Sequence, residues 1–311
     1  MKFSILIPAY KNQYLQECIN SILAQTFENW ELIILNDASP YDVDGIVATF
    51  SDPRIRYYKN EVNVGATDVV DNWNKCLKLA EGDYIVCMGD DDRLLPSCLE
   101  EYVNLIDKYP GLGVYHAWTE IIDENGKFNR MTSGRCEFES VYSLIWHRWS
   151  GMRYQFIGDF LFDTKMLREK GGFYKLPLAW ASDDITVVMC AAFKGIANTQ
   201  VVTFQYRQNS QTISNTGNAK LKMEALCQER EWYLDFLSSE PTDGLDRRFY
   251  DDIMRIMPNY FNNKTVVTIS GDLNLSIFNI FYWIKKRRHY GYGKRVIVKS
   301  LIRKVKSVMM F

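Results

Sequence analysis

Apolar residues follow two rhythms along the first hundred positions. A β-rich run at 3–7 stops at Pro8, and Leu15, Ile19, Ile22 and Leu23 then recur at helical spacing. A second apolar run at 32–35 ends in the turn sequence NDASP, and a short strand is predicted at 54–58. Val69, Trp73, Leu77 and Ala80 mark another amphipathic helix, followed by a strand at 84–88. Ser97 and Glu100 form a capping-box pattern opening a helix through Leu99, Val103 and Ile106. This order predicts an α/β sheet with parallel crossovers. Residues 110–175 read as mixed, with an aromatic and basic segment, WHRWSGMRYQF, and 220–260 read as mainly helical. No internal repeat is present.

The polar clusters PAYKN, NDAS, NEVNVG and GDDD each come just after a predicted strand. Ligands of open α/β sheets bind outside the carboxyl ends of the strands, so these loops are expected to line a single site. Asp90, Asp91 and Asp92 repel one another, and a hard divalent cation such as Mg2+ or Mn2+ would offset that repulsion. In extended chain Asp90 and Asp92 would face one way and Asp91 the other. The alternative is a solvated acidic turn ahead of the helix at Ser97. Gly89 favours the first account, because it lets backbone approach a ligand closely. Asp183 and Asp184 open an apolar helical stretch at 187–193. They read either as acids favoured by the helix macrodipole or as a general base at the edge of an aromatic setting.

Composition adds the scale. The 311 residues, 47% of them hydrophobic, suit one main domain plus an appendage. A net charge of −1 conceals an asymmetry: 273–311 holds ten Lys and Arg and no acid, which leaves 1–272 at a net −11. The seven cysteines lack any C-x-x-C pair and read as small core residues of a reducing compartment. MKFSILIPAY is too short an apolar run for a signal peptide, and 273–284 falls short of the roughly 20 residues a spanning helix needs. A cytoplasmic location, peripheral on the inner face of the membrane, is the expectation.

Six stretches in order carry more: SILIPAYKN, WELIILNDASPYD, NVGATDVVDNW, EGDYIVCMGDDDRLLP, EKGGFY and ASDDITVVMCAAFKG. Together they resemble the family 2 glycosyltransferases of the GT-A fold. The resemblance implies a Rossmann-like nucleotide-binding half with a mixed, mainly parallel sheet, joined to an acceptor-binding half and a helical C-terminal region. The units expected are a glycosyltransferase domain at 1–215, a helical extension at 216–272 and a basic amphipathic tail at 273–311.

By the same resemblance Pro8, Ala9 and Tyr10 border the nucleotide base, and Asp37 hydrogen-bonds it, usually as uracil. Asn63 and Gly65 then lie near the ribose and sugar. GDDD resembles the D-x-D motif that binds Mn2+ or Mg2+ and the diphosphate. Aligned on Pro96, Gly89 falls where many members carry their first Asp. Asp91 and Asp92 match the more constant pair, Asp91 as direct ligand, and Asp90 is assigned to the nucleotide side. Asp184 matches the catalytic base, with Asp183 beside it. In YRQNSQTIS, Asn209 replaces a His of many members and Arg207 is expected at the diphosphate. Trp180 is expected to stack on the acceptor, with His147 as a second acceptor contact.

The activity implied is inverting transfer of a sugar from a nucleotide sugar, in the family usually a UDP-sugar, to a glycan or lipid-linked acceptor hydroxyl, in surface polysaccharide synthesis. Two rivals stay open: an inactive relative that binds sugar or serves as a scaffold, and a nucleotidyltransferase. The latter lacks a glycine-rich loop after the first strand. No G-x-G-x-x-G follows that strand and no P-loop occurs, which excludes nicotinamide enzymes and P-loop NTPases. The acidic body argues against nucleic acid. In the tail, Val298, Leu301, Ile302, Val305, Val308 and Met309 recur at helical spacing beside Arg295, Lys299, Arg303 and Lys306. With KKRR at 285–288, residues 285–311 suit an anionic membrane surface; packing on the main domain or a homodimer contact are the alternatives.

Overall fold

The computed structural model describes residues 1–192, 194–209 and 218–309, the side chains of 306–309 excepted. The boundary expected at 215, positions 210–214 of YRQNSQTIS and the side chains of Lys306, Val308 and Met309 fall outside the described residues. The strands are β1 (Phe3–Ala9), β2 (Trp30–Asn36), β3 (Ile55–Lys59), β4 (Tyr84–Cys87), β5 (Arg93–Leu94), β6 (Val114–Ile122), β7 (Phe128–Met131), β8 (Phe138–Glu139), β9 (Phe160–Asp163) and β10 (Ile196–Arg207). The helices are α1 (Leu15–Leu23), α2 (Val43–Ala48), α3 (Val69–Leu79), α4 (Cys98–Lys108), α5 (Val141–Trp149), α6 (Thr164–Glu169), α7 (Ser182–Ala191), α8 (Ala219–Phe236), α9 (Gly244–Leu275), α10 (Ile280–Lys286) and α11 (Lys294–Met309).

The main path of the sheet runs β3-β2-β1-β4-β9-β6-β10-β5. β1 pairs in parallel with β2 and β4, β2 with β3, and β6 with β10, while β9 runs antiparallel between β4 and β6. The expected mixed, mainly parallel sheet is therefore present. Alternation along each strand sorts side chains into two cores. Ile5, Ile7, Leu32, Ile34 and Val86 face α1 and α4, whereas Leu6, Ile33, Leu35, Ile85 and Cys87 face α3, α5 and α7. The second core continues without a break into α8, α9 and α11, through Met223, Tyr233, Ile253, Phe261, Ile269 and Ile297.

Two local expectations change. Helix α4 starts at Cys98, but Ser97 makes no side-chain capping bond, and the Glu100 carboxylate accepts from Thr26 Oγ1 at 2.8 Å. The three aspartates lie largely in a tight turn rather than extended chain, so strand alternation does not sort their side chains. In the tail, α11 buries Val296, Ile297 and Ser300 against α9 and leaves Val298, Ile302 and Val305 at least half exposed. Among the described residues no helix is long and apolar enough to cross a membrane, and all the cysteines are unpaired.

Candidate active site

The register of the central strands builds the site. Ala9 lies opposite Asn36 across β1 and β2, and Leu6 lies opposite Cys87 across β1 and β4. The loops after these three strands therefore emerge side by side at the carboxyl edge of the sheet. They open onto a cleft of about 540 Å³, whose lining includes Pro8, Tyr10, Asp90, Asp91, Asp92, Trp180, Asp183 and Asp184.

Outside the cleft lining, and tied to the Ala9 carbonyl by its N–H, Asp37 is 5% exposed and organises its surroundings. Its Oδ1 accepts from Asn60 Nδ2 at 2.8 Å and from the Val64 N–H at 3.0 Å, while its carbonyl accepts from Asn63 Nδ2 at 2.8 Å. Gly65 follows at φ +74°, a left-handed conformation that favours glycine. Asp37, Asn63 and Gly65 thus form one structural unit beside the buried Ala9.

Each aspartate of the turn has its own partner. Asp90 Oδ2 accepts from the Tyr10 and Lys11 N–H groups at 2.8 and 2.7 Å, which ties the turn to the end of β1. Asp91 Oδ2 accepts from Asn209 Nδ2 at 2.6 Å, and Asp92 Oδ1 from the Arg207 N–H at 2.9 Å. Burial and the neighbouring Asp91 push Asp90 up to about 6. Burial raises Asp91, and burial together with Asp91 raises Asp92 well above the usual carboxylate range. A β-carbon added at Gly89 would stand 2.8 Å from Asp91 Oδ1 and 3.1 Å from Asp92 Oδ2. The two carboxylates therefore converge on a space that glycine keeps clear. Hard oxygen donors around buried, unbalanced negative charge fit a divalent cation whose remaining ligands come from a substrate. The protein supplies only part of a coordination shell, since no group of three or more His, Cys, Asp or Glu among the described residues could hold a metal alone.

Across the cleft, α7 begins at Ser182 and carries both acids in its first turn. The preceding segment is strained: Leu178, Ala179 and Ala181 all hold positive φ, at 62°, 51° and 70°. Asp184 is 4% exposed and held from two sides. Arg148 Nε and Nη2 donate to its two oxygens at 3.0 and 3.3 Å, and Gln155 Nε2 donates to Oδ1 at 2.6 Å. Burial alone would raise its pKa, but Arg148, Lys264 and Gln155 outweigh it and leave Asp184 below the ordinary range. Asp183 is half-buried, and burial with the adjacent Asp184 pushes it up to about 7. The two acids thus occupy different protonation regimes.

Of the expected site residues, Ala9, Asp37, Asn63, Gly65, Arg207 and His147 are absent from the cleft lining, and the last two are engaged elsewhere. Arg207 is 1% exposed and supports the turn from behind, donating to the Asp91 carbonyl at 2.8 Å and to Glu17 Oε2 at 2.8 Å. His147 is absent from the cleft wall: its Nδ1 lies 2.8 Å from the Ser143 carbonyl and its ring packs on Trp146 and Phe249. Sequence reasoning missed Arg148, Gln155 and Lys264, which come from α5, a loop and α9. The basic segment WHRWSGMRYQF held a signal for the first two, but nothing in the chain's order joins them to Asp184.

A model of "Glycosyl transferase family 2" matches residues 4–173. The putative colanic acid biosynthesis glycosyl transferase WcaA of Escherichia coli K12 is 37% identical over 103 residues, 32% of this chain and 36% of that relative. The Escherichia coli UDP-Glc:alpha-D-GlcNAc-diphosphoundecaprenol beta-1,3-glucosyltransferase WfgD is 33% identical over 129 residues, 40% of this chain and 49% of that relative. The chain thus spans less than half the length of these curated relatives. Among solved structures, S. aureus TarS 1–349 in complex with UDP-GlcNAc superimposes with a TM-score of 0.65 at 16% identity, over 87% of this chain and 81% of that one. That likeness speaks to the GT-A fold. With the family model covering more than half of its residues, the chain belongs to glycosyl transferase family 2.

Proposed function

We propose that the protein transfers a sugar from a UDP-sugar to a hydroxyl of a glycan or lipid-linked acceptor, with inversion at the anomeric carbon, in surface polysaccharide synthesis. One observation carries the reading: the end of β1, the aspartate turn and the acid pair of α7 line one cleft. The names of WcaA and WfgD support polysaccharide assembly and a lipid-linked acceptor, and WfgD and the TarS complexes support uridine nucleotides.

In this reading Asp37 meets the base and Pro8 and Tyr10 border it, while Asn63 and Gly65 shape the ribose side. Asp91 and Asp92 would hold Mn2+ or Mg2+, which when bound supplies Lewis-acid stabilisation of the leaving diphosphate. Asp90 locks the turn to β1, so the two ligands keep their places. Asp184 accepts the proton of the acceptor hydroxyl, with Arg148 and Gln155 fixing its carboxylate. Asp183 titrates beside it: once ionised, its charge raises the proton affinity of Asp184 and makes the base stronger. Trp180 packs against the acceptor. Arg207 positions the turn and does not touch the diphosphate.

The reading extends to a membrane. Leu275, Phe278 and Phe281 are 84%, 75% and 68% exposed, just ahead of the basic run at 285–288. An apolar foot with a cationic rim fits the interface of an anionic bilayer on its cytoplasmic side.

Calorimetric titration of UDP and GDP, with and without Mn2+, tests the donor site. UDP binding that requires metal and is lost in Asp91→Ala is expected. Binding of GDP instead would overturn the choice of base, and failure of both nucleotides to bind the folded protein would favour the inactive sugar-binding relative.

A further inference from the structure

A second groove, of about 410 Å³, adjoins the cleft and shares Arg148, Trp180 and Lys264 with it. Its far wall is one stripe of α9. Ile256, Asn259, Asn263 and Val267 follow helical spacing, and Tyr260 stacks on Trp149 with ring centroids 4.5 Å apart. This helix lies wholly beyond the segment that the family model matches.

The chemistry of the walls selects among ligands. Asn259 and Asn263 are exposed, and neither side chain makes a hydrogen bond among the described residues. The Trp180 Nε1–H is buried and unpartnered. The groove therefore offers free amide donors and acceptors beside aromatic and aliphatic surface. The two cations that line it are already balanced, and Lys222 Nζ, 4.6 Å over the Trp180 ring, lies outside the lining. Arg148 pairs with Asp184, and Lys264 Nζ lies 2.7 and 2.5 Å from the oxygens of Glu229, which is fully buried. Such a wall gives an anion little advantage. A pyranose, with an apolar CH face and a rim of neutral hydroxyls, matches it.

We infer that this groove is the acceptor subsite and takes an uncharged glycosyl unit of the acceptor, with α9 supplying its specificity. The inference rests on the transferase reading above. It makes the helical extension part of the site rather than an appendage. A lipid-linked acceptor then lies with its sugar against Trp180 and Asn263, its hydroxyl toward Asp184, and its diphosphate outside the groove.

Saturation-transfer NMR of the full chain with methyl glycosides of glucose, galactose, mannose and N-acetylglucosamine tests the subsite without needing turnover. At least one glycoside is expected to receive saturation. The signal should fall at least about fivefold in Asn259→Ala/Asn263→Ala and in Val267→Trp, with helix content checked by circular dichroism, and persist in Asp91→Ala. If no glycoside responds, or if the signal survives both groove variants, the inference is overturned. A signal lost in Asp91→Ala but retained in the groove variants would place the sugar at the donor side and overturn it equally. Titration of UDP and GDP into the wild type with Mn2+ reads separately: glycoside binding without binding of either nucleotide sinks the transferase reading and leaves the groove.

Discussion

Two adjacent carboxylates at the start of α7 differ because their neighbours differ. Arg148 and Gln155 keep Asp184 ionised, while burial holds Asp183 near neutrality, at about 7. Asp184→Asn is expected to lower kcat by about 10²–10⁴-fold at every pH, the usual worth of a positioned proton acceptor. Asp183 is protonated below about 7, so wild-type kcat should rise as pH climbs through that value. Asp183→Asn should flatten this limb and keep a reduced plateau, as a pH-rate profile would read. A limb that persists in that variant would assign the titration to another group. Asp159 carries a stability counterpart. It is fully buried, and burial pushes its carboxyl up to about 7, against about 4 in an unfolded chain. The folded state then holds its proton more tightly, so this contribution is present at low pH and lost as pH rises through 7. Asp159→Asn, stabilised relative to wild type at pH 8 but not at pH 5 in thermal melts, is the expected outcome.

Among elements, the segment before α7 stores strain that its sequence does not advertise. Ala181 holds φ +70° two residues ahead of the acid pair, although an L-residue in that conformation costs about 1 kcal/mol or more. Ala181→Gly should raise stability by up to about 1 kcal/mol in denaturant unfolding. It should also lower kcat with UDP affinity unchanged, since a freer hinge positions Asp183 and Asp184 less well. Unfolding that becomes easier would refute the strain. Helix α9 teaches a related lesson: its 32 residues serve the core on one face and the groove on another.

For the whole molecule, the apolar foot and basic rim predict a distinct behaviour. The wild type should co-sediment with vesicles containing phosphatidylglycerol, and far less with pure phosphatidylcholine. Phe278→Asp/Phe281→Asp should abolish co-sedimentation without changing UDP binding, and salt should weaken that of the wild type. If those substitutions instead convert a dimer to a monomer with no change in vesicle binding, the foot is a contact between copies. The exposed face of α11 belongs to the same question, because among the described residues Val296, Ile297 and Ser300 are its buried side and Val298, Ile302 and Val305 its open one.

How much of this could be read from the chain depends on the range of the interaction. Strand and helix periodicity, Pro8 and the turn sequences are local signals, and they sufficed for the α/β sheet with its parallel crossovers and for the loops that end its first strands. Side-chain alternation also follows from each strand alone, which is why the two cores lie on the faces the pattern implies. Pairings across long stretches of sequence were not legible. Arg148 meets Asp184 over 36 positions and Arg207 meets Glu17 over 190, and no periodicity encodes either. Arg207 reads as a diphosphate contact from the family resemblance and His147 as an acceptor contact from its aromatic surroundings; packing turned the first behind the aspartate turn and the second onto Phe249. The sequence by itself determined the elements and the chemistry available at strand ends, since backbone preference and amphipathic spacing act over a few residues. Tertiary structure alone decided which charges are balanced, which carboxylate keeps its proton and which helix walls the groove, because burial and charge pairing exist only once distant segments meet.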